Sequence, residues 1–137
     1  MPRQMTRAEW AKTQYHDTQV GVFQSQGAIM GLLREHLGVK KVGFVDFEAG
    51  GGGVIFEYKG QQYRFDAVPI EVTDGIESHK KRAERQVWRW LCYHVKDLIG
   101  ASFFIPIDDL LLPHLLVAPG KGRGEDLTLG EALRRGR

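Results

Sequence analysis

Two neighbouring stretches of this chain alternate side chains of different character residue by residue, and that alternation limits the fold more than any other feature. Val54, Phe56 and Tyr58 interleave with Ile55, Glu57 and Lys59, while Tyr63, Phe65 and Ala67 interleave with Gln62, Arg64 and Asp66. A period of two marks half-buried β-strands, because successive side chains point to opposite faces of a sheet. Lys59-Gly60-Gln61 supplies a tight turn between the two stretches. The glycines at 50–53 lead back to a preceding strand expected over residues 39–47. Pro69 has no backbone N–H for a ladder, so the third strand ends there or lies at an edge. A sheet of this kind has one dry face, and that face needs a cover.

Residues 76–99 are predicted to provide it. On a helix there, Ala83, Val87, Trp90, Leu91, His94 and Leu98 fall on one side, and Lys81, Arg85, Arg89 and Lys96 on another. Trp90 is expected in the core. Trp88 points elsewhere and is expected to be partly buried near the C-terminal leucines, at the rim of a partner surface.

The remaining elements follow from shorter signals. Thr6 and Glu9 have capping-box spacing and predict a helix over residues 7–15. Phe23, Met30, Leu33 and Leu37 recur at helical spacing, with Ile29 and Leu32 beside them, predicting a second helix over 19–37 closed by Gly38. Beyond Gly100, a leucine-rich segment reads as short helical turns interrupted by Pro113, placed in the core or at an interface. Thr128 and Glu131 form a second capping-box pair that opens a final short helix. The expected fold is a single α+β domain over residues 1–137: a three-stranded antiparallel sheet with a long helix packed on one face, N-terminal helices and short C-terminal helices. The N-terminal segment 1–18 is expected to be flexible, and segment 119–137 to form a basic tail.

A length of 137 residues suits one domain, and 42% hydrophobic with 26% charged residues is the composition of an ordinary globular protein. No apolar run approaches the roughly 18 residues a membrane-spanning helix needs, and the N-terminus lacks a secretory apolar stretch. A cytoplasmic protein that does not engage membranes is the expectation. Cys92 is the single cysteine, which excludes an internal disulfide and any multi-cysteine metal site. Its apolar helical surroundings favour a buried, inert thiol.

Catalytic signals are weak. His16, His36, His79, His94 and His114 lack a second ligand at metal-site spacing. The glycine run at 50–53 is followed by no Lys-Ser or Lys-Thr. Asp108 and Asp109 are adjacent, and neighbouring residues on a helix diverge. No serine lies in a nucleophile-elbow context. A non-enzymatic protein without cofactor, metal or catalytic residues is therefore expected.

Binding is the better reading. The net charge of +2 is small, but its distribution is uneven. One basic cluster holds His79, Lys80, Lys81, Arg82, Arg85 and Arg89, and another lies in the tail at Lys121, Arg123, Arg134, Arg135 and Arg137. Lys80, Lys81, Arg85 and Arg89 are the candidate contacts to DNA or RNA. The competing expectation is a protein-interaction module, either a homodimer or an inhibitor of another protein machine, acting through Trp88, Leu111, Leu112 and Leu115. A further alternative leaves the sheet's aromatic residues exposed as a base-stacking platform.

The helix, three-strand, helix order, with Ser78-His79-Lys80-Lys81-Arg82-Ala83-Glu84 opening the last helix, resembles the double-stranded-RNA-binding domain. That resemblance spans about residues 25–99 and implies that Lys80, Lys81 and Arg85 contact phosphates. Most of the chain also resembles small proteins of bacteria and their phages or plasmids that carry no assigned activity. The shared features fall at residues 52–64, 87–95, 112–116 and 128–133. This second resemblance implies a role in mobile-element DNA or RNA biology, defence and anti-defence included.

Overall fold

The computed structural model describes residues 3–46, 51–118 and 127–128. In chain order it forms β1 (Arg3–Met5), α1 (Arg7–Trp10), α2 (Val22–Leu37), β2 (Val42–Asp46), β3 (Gly52–Tyr58), β4 (Gln61–Ala67), β5 (Ile70–Val72), α3 (Glu77–Ala101) and α4 (Ile107–Leu111). A 3₁₀ turn at Leu112–His114 and two short paired strands, β6 (Leu116–Ala118) and β7 (Leu127–Thr128), follow. The α+β class and the three-stranded antiparallel sheet under a long helix match the sequence expectation. The final helix expected after Thr128 and the basic tail lie outside the described residues.

Strands β2, β3 and β4 pair in that order, both pairs antiparallel. Phe56 faces Tyr63 and Val54 faces Phe65 across the hairpin. The hairpin turn is two residues long, with Lys59 at φ 52° and Gly60 at φ 78°. Positive φ at both central positions is what a mirror-image turn requires, and its twist suits the strands it joins. The register puts Val54, Phe56, Tyr63 and Phe65 on one face at 0%, 1%, 8% and 1% exposure. The base-stacking platform is thereby ruled out for this face. On the other face Glu57 and Gln62 are exposed, whereas Arg64 is only partly so, with Nε 2.9 Å from Asp66 Oδ2.

Helices α2 and α3 both pack on the dry face. From α2, Ser25, Ile29 and Leu33 turn inward at four-residue intervals. Phe23 does not belong to that stripe and is 87% exposed, contrary to its expected place in the apolar repeat. Helix α3 carries two buried flanks. Its C-terminal half gives Leu91, Cys92, Val95 and Ile99 to the main core, together with Val87 and Trp88. Its N-terminal half instead buries His79, Ala83 and Gln86, with Ala83 joining Trp10 and Val72 in a second small cluster.

That second cluster fixes the N-terminal segment. β1 pairs in parallel with β5, matching Arg3 to Ile70 and Met5 to Val72. Thr6 and Glu9 make both bonds of the capping box, at 2.9 and 3.2 Å. Trp10 is 2% exposed. Its Nε1–H donates to Gln86 Oε1 at 2.7 Å, and Gln86 Nε2 donates in turn to Thr13 Oγ1 and the Gln14 carbonyl at 2.6 and 2.7 Å. Holding those acceptors bends the chain after Trp10, and Tyr15 takes φ 64°. Hence α1 ends at Trp10 rather than near residue 15, and the segment expected to be flexible is tied to β5 by strand pairing and to α3 by the hydrogen bonds of Gln86.

Two tryptophan expectations are reversed. Trp88 is 0% exposed and Trp90 is 40% exposed. Trp88 lies on the α3 flank that meets Phe44 edge-on, with ring centroids 5.7 Å apart, so no partner can reach it. Trp90 stacks on His94 at 4.9 Å.

Candidate nucleic-acid interface

Helix α3 begins without a side-chain cap at Ile76, but Asp74 organises its entry. Asp74 Oδ1 accepts from the Ile76 backbone N–H at 3.0 Å, and Oδ2 lies 2.6 Å from His79 Nδ1. The Ile76 amide, reinforced by His79, lowers the Asp74 carboxyl below its ordinary range.

Lys81, Arg85 and Arg89 then follow at four-residue intervals, which places them in one row along the helix. Lys96 continues the same side two turns later. Arg89 Cζ sits 4.8 Å from the Tyr93 ring centroid and Lys96 Nζ 5.8 Å from it. Tyr15 stacks on Tyr93 at 4.9 Å with the rings 6° from parallel. Among the described residues none of the four cations forms an ion pair with a carboxylate. Arg85 Nε is enclosed by protein and has no hydrogen-bond partner.

Lys80 does not join this row. It projects beside β5, in a hollow it shares with Glu71 and Glu77. Of the four basic residues singled out from sequence, the structure therefore brings together Lys81, Arg85 and Arg89 and separates Lys80 from them.

The residues expected at a protein interface are also divided. Leu111 is 0% exposed and belongs to the main core, so like Trp88 it is unavailable to a partner. The short helix α4 turns it inward, and the neighbouring Leu115 packs half-buried against the same core. Leu112 alone is open, at 49%. The more prominent apolar surface precedes it: Phe103 is 75% exposed, Phe104 91% and Ile105 45%, in the connection between α3 and α4. Sequence reading passed over this tip, although two phenylalanines between a helix end and Pro106 lie where no amphipathic repeat could bury them.

At the sheet end of the core, His94 of α3 and His114 of the 3₁₀ turn stand with ring centroids 6.2 Å apart, and both meet Phe65 edge-on, at 5.8 and 4.4 Å. Burial lowers both imidazole pKa values; Asp97 opposes the shift at His94, while His94 adds to it at His114. Cys92 is buried, and that burial raises its thiol pKa, which keeps it protonated and unreactive. Among the described residues no group of three or more His, Cys, Asp or Glu side chains is placed to hold a metal ion, and no helix is long and apolar enough to cross a membrane. No protein-family model matches the chain, and no curated protein or solved structure matches it.

Proposed function

We propose that this protein is a non-enzymatic nucleic-acid-binding accessory protein of a phage or other mobile element, with Lys81, Arg85 and Arg89 as its phosphate contacts. The observation that carries the proposal is the row itself: cations at four-residue intervals on one helix, without carboxylate partners among the described residues, extended by Lys96 beside a stacked tyrosine pair. Cations left unpaired within the protein are free to displace the counterions of a polyanion, which makes affinity fall steeply with salt. Arginine beside an aromatic ring adds a stacking contact to the charge.

Binding of labelled DNA and RNA, followed by fluorescence anisotropy across a salt series, tests the reading. The expected result is micromolar or tighter binding at low salt that weakens as salt rises, and its loss in the Lys81→Glu, Arg85→Glu double variant with the thermal melt preserved. Undiminished binding by that variant would remove the row from the interface. The mobile-element setting rests on the resemblance alone and is checked by the genes that neighbour this one.

A second reading, a protein-contact module such as a homodimer or an inhibitor of a host defence complex, is favoured by the exposed Phe103, Phe104 and Ile105. Contiguous exposed aromatics on a small protein mark contact surfaces. Light scattering of the protein and of its Phe104→Asp variant tests it: a dimer that the substitution dissociates supports the reading, and a monomer in both excludes the homodimer.

A further inference from the structure

Between the first turn of α2 and the N-terminal half of α3 lies a hollow of about 500 Å³, lined among others by Phe23, Gln26, Phe44, Lys81, Glu84 and Arg85. Its volume falls within the range of small-ligand sites, roughly 300–1,000 Å³. Its walls differ in chemistry. One side is aromatic, with Phe23 fully presented and Phe44 half-buried on β2. The other is cationic, with Lys81 and Arg85 one helical turn apart.

Phe23 has no structural task that explains its place. The inward stripe of α2 is Ser25, Ile29 and Leu33, so the core does not recruit it, and a phenylalanine 87% exposed at a helix start gains nothing from burial. Arg85 presents the complementary deficit. Its side chain is only partly buried and, like Lys81, pairs with no carboxylate among the described residues. An anion placed between Lys81 and Arg85 supplies the missing partner. Gln26 and Glu84, in the same walls, offer a mixed amide and a carboxylate acceptor suited to the N–H edges of a base.

We infer that this hollow takes one unstacked nucleotide of a single-stranded nucleic acid, with its base against Phe23 and its phosphate between Lys81 and Arg85. The inference rests on the nucleic-acid reading above and sharpens it to single strands, because a base paired and stacked in a duplex cannot lie on an aromatic side chain. Arg89 and Lys96 then carry the backbone that continues along α3.

The test compares labelled oligothymidylate with a duplex of matched length, by anisotropy at fixed low salt, for wild type, Phe23→Ala and Phe23→Trp. Wild type should prefer the single strand. Phe23→Ala should lose that preference, with affinity for oligothymidylate down about tenfold, the effect of one lost base–aromatic stack. Phe23→Trp should retain it. Since Phe23 is exposed, all three proteins should melt alike. If Phe23→Ala binds oligothymidylate as wild type does, or if wild type prefers the duplex, the hollow is not the base site, while salt-sensitive binding through Lys81 and Arg85 survives. If wild type binds neither probe, both readings fall together.

Discussion

Trp88 packs directly against the backbone of Gly52: a Cβ built on that glycine would sit 2.4 Å from Cζ2 and 2.6 Å from Cε2 of the indole. No carbon pair tolerates such a distance, so the absence of a side chain at 52 is what allows the tryptophan of α3 to close over the start of β3. Gly52 is thus a packing surface for an indole.

Gly52→Ala is therefore expected to destabilise the protein by about 1–3 kcal/mol, the usual cost of forcing extra volume into a packed interior. Urea denaturation would measure it. A variant as stable as wild type would mean that the indole moves aside freely, against its complete burial.

Leu111 and Leu112 are adjacent and should behave oppositely. Leu111→Ala removes a fully buried side chain and should cost about 2–5 kcal/mol. Leu112→Ala removes one that is half exposed and should change the melting temperature little. Equal effects in thermal melts would contradict the inward turn of α4.

Stability should fall as pH drops from about 7 to about 5. Burial depresses the pKa values of His94 and His114 in the folded protein, so the unfolded chain binds protons first, near its ordinary value of about 6.5. Their stabilising contribution is complete above that value and is lost as pH falls below it. A His94→Gln, His114→Gln double variant, followed by urea denaturation across this window, should show a flatter pH dependence than wild type.

The Trp10 to Gln86 bond offers a further check. Trp10→Phe keeps most of the buried ring but leaves Gln86 Oε1 without its donor, an unpaired buried acceptor costing about 1–3 kcal/mol. Limited proteolysis should then cut within the first fifteen or so residues before the sheet is attacked. Resistance equal to wild type would show that strand pairing alone holds the segment.

Much of this architecture was legible in the chain because it is local. Alternation at 54–58 and 63–67 gave the dry face, Lys59-Gly60 the turn, and Gly38 the end of α2. What was not legible depends on contacts distant in sequence. β1 has three residues and no repeat of its own, and it exists because β5 lies beside it. A single averaged apolar stripe along α3 groups Trp90 with Val87 and Leu91, which exchanges the roles of the two tryptophans. The helix in fact covers two bodies in succession, the Trp10 cluster first and the sheet with α2 second, so its buried side rotates toward Trp88, Cys92 and Val95. At the candidate interface, four-residue spacing puts Lys81, Arg85 and Arg89 in one row, whereas Lys80, their neighbour in sequence, lies beside β5. Periodicity groups Phe23 with Met30, Leu33 and Leu37, but Ser25, Ile29 and Leu33 fill the inward row and leave Phe23 outside it.

The hydrogen bonds from Gln86 to both sides of the bend after Trp10 tie a chain end to the middle of the helix that bears the basic row. With no side-chain cap at Ile76, the first turns of α3 depend on neighbours for their persistence. Trp10, Val72 and Ala83 supply that support from one side. Amide exchange in β1 and in the opening turns of α3 should consequently proceed at a common rate, as a single cooperative unit that opens ahead of the sheet. Lys81 and Arg85 ride on that unit, so the geometry they offer a ligand depends on the Trp10 segment as well as on the helix that carries them.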